Sequence, residues 1–482
     1  MNIKKSLLLF APLCASLLMV SCKGGDEPVV SDKGIITTPT EILFKTTAGK
    51  QNQAALNRMI EDFKKIEPNV TVTLDIVSGS YQDIANNTIT GFTTGDYGDI
   101  VMVYPDAVAD FINYGYAFNL DPYMNNETYG LTAEDKKDLI PTFMAEGQKY
   151  TLEGTYSLPF SKSTEVVYYN KTRVLGTTLE GINNGNPINE TYLNSLTWEE
   201  FFGKLCPAIM DYIKTPDGAN LLNTKDGDYY IMSYDSDDNL FITLAEQYGY
   251  DYTAIENGQG KALFNNQNMK DLMYKWNGYS KLRYITSAGA SGDRSNAFFT
   301  QNKVLFSVGS TAGSSYQYSD GADVGVFKIP HAEGRDPKVI LQGPSVSILR
   351  HKDSSGKWDT NRQLAAWLFY KHTISYENCL DWSTTANYMP IRQSIYEDEI
   401  YTDLYDETLQ TPASLDLLNA RIANFVGTMS DYYYTSPAFK GSNECRTQVG
   451  GIVTVALTPE KTQQDIDNIF QTAYTNASIA II

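Results

Sequence analysis

The run Asp235-Ser-Asp-Asp-Asn239 places three carboxylates and an amide in one short stretch. Carboxylates and amides accept hydrogen bonds in defined directions, and a carboxylate does so without itself reacting. Asp235, Asp237, Asp238 and Asn239 are therefore candidate acceptors for the rim of a hydroxyl-rich molecule. The same residues suit other uses. Asp and Asn are favoured at helix N-termini, so the run could open a helix over 240–247. Asp235, Asp237, Asn239 and Glu246 also stand at positions 1, 3, 5 and 12 of a calcium-loop pattern, although position 6 is Leu240, where that turn requires glycine. Asp235 and Asp238 could act as a glycoside-hydrolysing pair, which needs carboxyl groups about 5–9.5 Å apart, but no motif selects a pair.

Aromatic content is the second feature that bears on chemistry: 34 Tyr, 20 Phe and 5 Trp. Tyrosine combines an apolar face with a polar tip, which suits an amphipathic ring. Tyr81, after Ser78-Gly-Ser80, and Tyr388, within Ala386-Asn-Tyr-Met-Pro390, could stack on one. Gly309-Ser-Thr-Ala-Gly-Ser-Ser315 offers the hydroxyls of Ser310, Thr311, Ser314 and Ser315, while Gly309 and Gly313 permit a tight turn. A plain turn between strands is equally consistent. Lys162 is expected to point to solvent. His331, His351 and His372 are scattered, and Cys206, Cys379 and Cys445 show no metal spacing. One disulfide or three free thiols are open readings, and no cofactor or metal is expected.

The elements that must position these groups follow from periodicity. Residues 41–46 read as a strand. Leu56, Met59, Ile60, Phe63 and Ile66 have helical spacing over 51–66, and Val70, Val72, Leu74 and Ile76 alternate as in a strand. A helix over 81–94, a strand over 100–104 and a helix over 105–114 follow. This alternation predicts an α/β fold with a mostly parallel sheet. Ligands of such sheets sit beyond the carboxyl ends of the strands, which points to the loops 46–51, 78–81 and 104–106, and so to Tyr104 and Asp106. Further on, 183–194 reads as a surface loop and Thr197-Trp-Glu-Glu200 as a capping box. Strands are predicted at 324–329 and 345–349, a helix at 362–372, and another starting at Thr458-Pro459. Trp276, Trp367 and Trp382 are assigned to the core and Trp358 to the surface.

At 482 residues the chain exceeds the ~250–300 at which single cores give way to several. The formal charge of −19 becomes two units more negative if Lys4 and Lys5 are removed. So acidic a surface repels nucleic acid and anionic lipid. Lys4 and Lys5 precede an apolar run over 7–20, too short to span a bilayer, which reads as an export signal. The following Ser21-Cys22 resembles a bacterial lipobox. That implies a lipidated Cys22 as the first mature residue, a polar tether over 23–40 and an extracytoplasmic place on a bacterial membrane, at the cell surface or in the periplasm.

Seven stretches then fall in one order. They are Phe44…Phe63…Glu67-Pro-Asn-Val70, Gly95-Asp-Tyr-Gly-Asp99-Ile-Val, LPFSKSTEVVYYNK (158–171), TWEEF (197–201), GPSVSIL (343–349), AAWLFYKH (365–372) and ANYMPIR (386–392). Together they resemble bacterial extracellular solute-binding proteins of the sugar-binding type over nearly all of 41–476. The PF-x-x-ST-x-V-x-YYNK run is most similar to the sn-glycerol-3-phosphate-binding branch.

The resemblance implies a two-lobe periplasmic-binding-protein fold of type II with three inter-lobe crossings. After the signal at 1–22 and the tether, 41–166 plus 312–372 would form lobe 1, and 167–311 plus 373–482 lobe 2. It implies a monomer without enzymatic activity that captures a carbohydrate, or a related polyol or glycerol phosphate, by hinge closure and passes it to the membrane subunits of an ABC importer. A surface glycan hydrolase and a ligand-sensing partner of a membrane receptor are the alternatives. Carried over by residue, it implies ligand contacts from Tyr81, Ser163, Ser310 or Ser314, Gly343, Tyr388 and Arg446, the last meeting phosphate. An internal ion pair is the other reading of Arg446. Two departures stand out: Pro105-Asp106 where the branch has a glutamate, and Tyr234–Asn239 where it has a Trp-rich loop. The second exchanges stacking surface for carboxylates and favours an uncharged, hydroxyl-rich ligand.

Overall fold

The structure is a computed structural model that describes residues 36–225 and 227–482. The expected export signal, Cys22 and the expected tether as far as residue 35 lie outside the described residues. Two sheets organise the rest. The first contains β1 (Thr40–Thr46), β2 (Val70–Ile76), β3 (Ile100–Val103), β4 (Leu158–Pro159) and β13 (Ser345–Ile348), in the order β2-β1-β3-β13-β4. The second is built from β5 (Ser163–Asn170), β6 (Met232–Tyr234), β9 (Ile285–Ser287), β10 (Phe306–Ser310), β12 (Val339–Gln342) and β14 (Tyr433–Tyr434), in the order β14-β12-β5-β10-β6-β9, with β11 (Val324–Phe327) pairing β5. A separate hairpin joins β7 (Thr253–Glu256) to β8 (Gln259–Ala262).

The sheets are mixed. β1 is parallel to β2 and β3, and β6 to β9 and β10. β5 and β13, which enter one sheet from the other, run antiparallel to neighbours. A strand entering from the opposite lobe has no crossover helix to reverse it, and so arrives in the opposite sense.

In the first lobe, the helix Lys50–Ile66 buries Leu56, Met59 and Phe63, each gaining about 1.5–3 kcal/mol. Ile66, expected on that face, is instead exposed at the helix end. The helix Tyr81–Thr94 starts at a capping box in which Ser80 and Asp83 satisfy each other's backbone N–H groups, and ends on Gly95 at φ +83°. Asp99 of the Gly95–Val101 stretch is buried. It accepts from Leu43 N at 2.8 Å and pairs with Arg362, tying β3 to β1 and to the helix Thr360–Thr373.

Several expectations change. β11 and β12 belong to the second sheet, not to the 312–372 part of lobe 1, because both pair with β5. The helix Tyr376–Ala386, assigned by sequence to lobe 2, packs on Lys50–Ile66. Thr458-Pro459 forms a turn. The next helix is Gln463–Ile481, because the capping box lies at Thr462 and Asp465. Within 183–194, Glu190–Asn194 is helical and capped by Asn189. Trp276, Trp367 and Trp382 are buried, while Trp358 is half-buried with the Arg350 guanidinium 4.1 Å from its ring centre. Cys206, Cys379 and Cys445 are free and buried.

Candidate functional site

The chain leaves the first sheet through 160–162 and returns through 343–344. Beside these passages a cleft opens between the lobes and holds two adjoining chambers. One, of about 380 Å³, is walled by Tyr81, Ala85, Tyr104 and Ala107 from the first lobe and by Asp237, Asp238, Arg446 and Gly450 from the second. The other, of about 520 Å³, is walled by Tyr104, Glu165, Asp235, Asp237, Asp238, Arg294, Ser310 and Gln342. Tyr104, Asp237 and Asp238 border both.

Local structure explains each position. Tyr81 is the first residue of its helix, and Tyr104 precedes Pro105, where a helix starts at the end of β3. Both therefore lie beyond the carboxyl ends of strands. Their rings meet edge to face, 5.5 Å apart, and the Tyr81 and Tyr388 hydroxyls are 3.4 Å apart. Tyr388 stacks on Trp382, its backbone held in the left-handed turn that begins at Asn387. It borders a smaller neighbouring cavity of about 20 Å³.

The acidic run follows β6 and becomes the first turn of the helix Asp237–Tyr248, where carboxylates offset the positive end of the helix dipole. Its N-cap is Ser236, not an Asp or Asn. The calcium-loop register is overturned, because Asp237 and Glu246 lie on one continuous helix, about 13 Å apart along its axis.

The carboxylates are individually committed. Asp235 accepts from Ser295 N at 3.3 Å and lies 3.5 Å from Arg294. Asp237 accepts from the Thr454 hydroxyl at 2.5 Å and from Gly289 N at 3.3 Å. A Cβ at Gly289 would fall 2.2 Å from Asp237 Oδ2, so this approach needs glycine. Burial raises the Asp237 pKa, since its donors are neutral. Asp238 pairs with Arg446 Nε at 2.5 Å.

Arg446 stands on the helix Ser442–Ala456. Burial works against its charge, but Asp238 and Asp106 outweigh that and raise its pKa. Arg446 also donates to Asn239 Oδ1. The internal ion pair is thus the reading the geometry supports for Arg446.

Glu165 is one of the wall residues, with Arg294 and Gln342, that sequence reading missed. It is buried on β5, where Tyr234 OH donates to it at 2.6 Å and Asn239 Nδ2 at 2.7 Å. Burial pushes its pKa up to about 7, against the pull of these two donors. An acid inside the otherwise uncharged Ser163–Asn170 strand was the signal available. Asn239 also donates to Gln342 at 2.8 Å. Tyr234, Glu165, Asn239, Gln342, Arg446 and Asp238 form one continuous network.

Other expected site residues stand elsewhere. Ser163 is buried behind the second chamber and accepts from Ser310, which does line it. Ser314 faces the opposite way and donates to Asn419 at 2.6 Å on the helix Leu415–Gly427. Asp106 is in the first turn of the helix Pro105–Asn113, is not a wall of either chamber, and acts on Arg446 through its charge. Gly343 lies in the return passage. Lys162 does not point to solvent: it is fully buried and paired with Glu146.

Three comparisons bear on this arrangement. A family model of bacterial extracellular solute-binding proteins matches residues 58–407. No curated protein sequence matches. Among solved structures, UgpB from Mycobacterium tuberculosis in complex with glycerophosphocholine superposes with a TM-score of 0.66 at 17% identity, covering 91% of this chain and 98% of that one. The GacH receptor of Streptomyces glaucescens, solved unliganded and with acarbose, gives 0.64 at 16% identity, covering 91% and 98%. Maltose-bound MalE3 of T. maritima gives 0.63 at 15%, covering 90% and 99%. At these identities the likeness is one of fold. The family binds solutes rather than transforming them, which sets the hydrolase alternative aside. A match over most of the chain, on a two-sheet fold with a cleft between its lobes, makes this protein a member of the bacterial extracellular solute-binding protein family.

Proposed function

We propose that this protein is the lipid-anchored, monomeric binding component of an ABC importer and captures a neutral carbohydrate of two or more rings. The observation that carries this reading is the pair of adjoining chambers around Tyr104, Asp237 and Asp238. Each chamber alone falls within the roughly 300–1,000 Å³ of small-molecule sites. The first offers tyrosine rings for the C–H faces of a sugar. The second offers Glu165, Asp235, Asp237 and Ser310 for its hydroxyl rim. A site built to pair hydroxyls rejects molecules that lack them, because its own polar groups would stay unpaired. Arg446 is already neutralised by Asp238, which disfavours an anion there.

Capture proceeds by closure of the lobes about the passages at 160–162 and 343–344. Ligand drives closure only through its greater affinity for the closed form. The closed form is what the membrane subunits recognise. Lipidation at Cys22 keeps the protein beside them outside the cytoplasm.

A polyol or glycerol phosphate is the second reading. It is favoured by Arg294, whose side chain is 76% exposed at the rim of the second chamber.

Calorimetric titration with glucose, maltose, maltotriose, glycerol 3-phosphate and glycerophosphocholine tests both readings. The first expects oligosaccharide binding with a thermal-melt shift, since ligand at 100 times Kd adds about 2.7 kcal/mol. Binding confined to the phosphates selects the second, and binding of none of the five rejects the proposal.

A further inference from the structure

The inter-lobe passages at 160–162 and 343–344 touch each other at one place. Ser161 N donates to Pro344 O at 3.2 Å. Gly343 has φ +90°, and a Cβ there would fall 2.0 Å from Ser161 O. Through this crossing runs the side chain of Lys162, with no exposed surface. Its ammonium group pairs with Glu146 and donates to Gly343 O at 3.1 Å on the other passage. Glu146 in turn accepts from the Ser345 hydroxyl at 2.9 Å, at the start of β13, where the return passage enters the first sheet. The backbone of Lys162 pairs with Met389, whose N–H donates to Lys162 O at 2.8 Å and so places the neighbouring Tyr388 beside Tyr81.

We infer that the Lys162–Glu146 ion pair is the pivot of lobe closure, with Lys162 as a positioning residue for ligand capture although it borders neither chamber. A buried charge held by a carboxylate, a carbonyl and a hydroxyl-supported partner has one low-energy arrangement. Moving either passage relative to the other would strand a charge away from water. The pair therefore restricts the passages to bending about one point. The lobes swing along a single path, and the fraction of molecules ready to close is held high. Apparent affinity scales with that fraction.

This inference rests on reading the cleft as the ligand site, but its first test needs no ligand. Lys162 and Glu146 are replaced together (K162M/E146L), since removing both charges of a buried pair is tolerated far better than removing one. Small-angle scattering of the ligand-free variant is expected to show a larger radius of gyration and a broader distance distribution than the parent at an unchanged melting temperature. With maltotriose, or whichever of the five probes binds the parent, Kd is expected to rise by about fivefold or more, chiefly through slower apparent association. Asp235→Asn, a wall variant, is expected to change Kd and leave the ligand-free scattering unchanged. If the double variant will not refold, K162Q/E146Q, which also removes both charges but keeps polar groups that can hydrogen-bond across the crossing, is measured in the same way. Parental scattering together with a Kd within twofold of the parent overturns the inference. If no probe binds the parent, unaltered scattering alone overturns it.

Discussion

Arg446 lies with its guanidinium 5.8 Å from the centre of the Tyr104 ring, and the two residues come from opposite lobes. The same guanidinium is 2.5 Å from Asp238. One cation thus meets an aromatic face of the first lobe and a carboxylate of the second, at the border between the two chambers. A ligand entering the cleft would pass this junction, so the first prediction concerns it.

Arg446→Met removes the cation, leaves the Asn239 carbonyl without its Arg446 donor and leaves Asp238 with the Ser236 hydroxyl but no cation. The loss is expected to weaken oligosaccharide binding by at least ~10-fold and to lower stability by about 2 kcal/mol, the cost of an unmet buried polar group. Titration calorimetry and urea unfolding read the two effects separately. If Arg446 instead received a phosphate, the variant would lose phosphate ligands alone and keep sugars.

Tyr81→Ala should discriminate by ligand length. Tyr81 borders only the first chamber. A trisaccharide is expected to lose ~10-fold in affinity, about the energy of one aromatic contact, while a single ring seated in the acidic chamber should be almost unaffected. Equal losses for both would mean that the chambers do not act as separate subsites.

Glu165 makes stability fall as pH rises. Its pKa in the fold is about 7, above that of an unfolded glutamate. Between pH ~4.5 and ~7 the folded state keeps a proton that the unfolded chain has released, so folding is progressively less favoured across this window and level above it. Glu165→Gln removes the dependence. At pH 8 the variant is expected to be more stable, relative to the parent, than at pH 4 by roughly 3 kcal/mol. Denaturant unfolding at the two pH values checks this, and parallel pH profiles for the two proteins would contradict it.

Gly343→Ala puts a methyl group onto the Ser161 carbonyl and asks alanine to adopt φ +90°. Both effects act against the fold, and a loss of about 3 kcal/mol is expected from the strained backbone and the displaced passage. Gly95→Ala offers a reference. It carries the same left-handed strain at φ +83°, but its Cβ would meet nothing within 4 Å. It should cost about 1 kcal/mol. Similar losses at both sites would rule out the close crossing.

Much of the first lobe was legible in the residues. Val70, Val72, Leu74 and Ile76 alternate, and Leu56, Met59 and Phe63 recur at helical spacing. Ser80 and Asp83 form a cap that fits only a helix starting at Tyr81. These signals are local, and local sterics and burial decide them. The same alternation placed Tyr104 at the end of a strand, where the cleft is found. The acidic run was visible too, though not its commitment to a helix start.

What the linear chain could not disclose is pairing at long range. Lys162 reads as a surface residue, because nothing near it in sequence shows that Glu146 and the Gly343 carbonyl will close around it. Arg446 finds Asp238, and Glu165 finds Tyr234 and Asn239, only once the second lobe is assembled. The direction of β5 likewise follows from which lobe the chain has just left. Periodicity and capping are properties of a few adjacent residues and are settled within them. The partner of a buried charge is settled by which distant segments the cores bring together, because a charge cut off from water is tolerable only where those segments meet it.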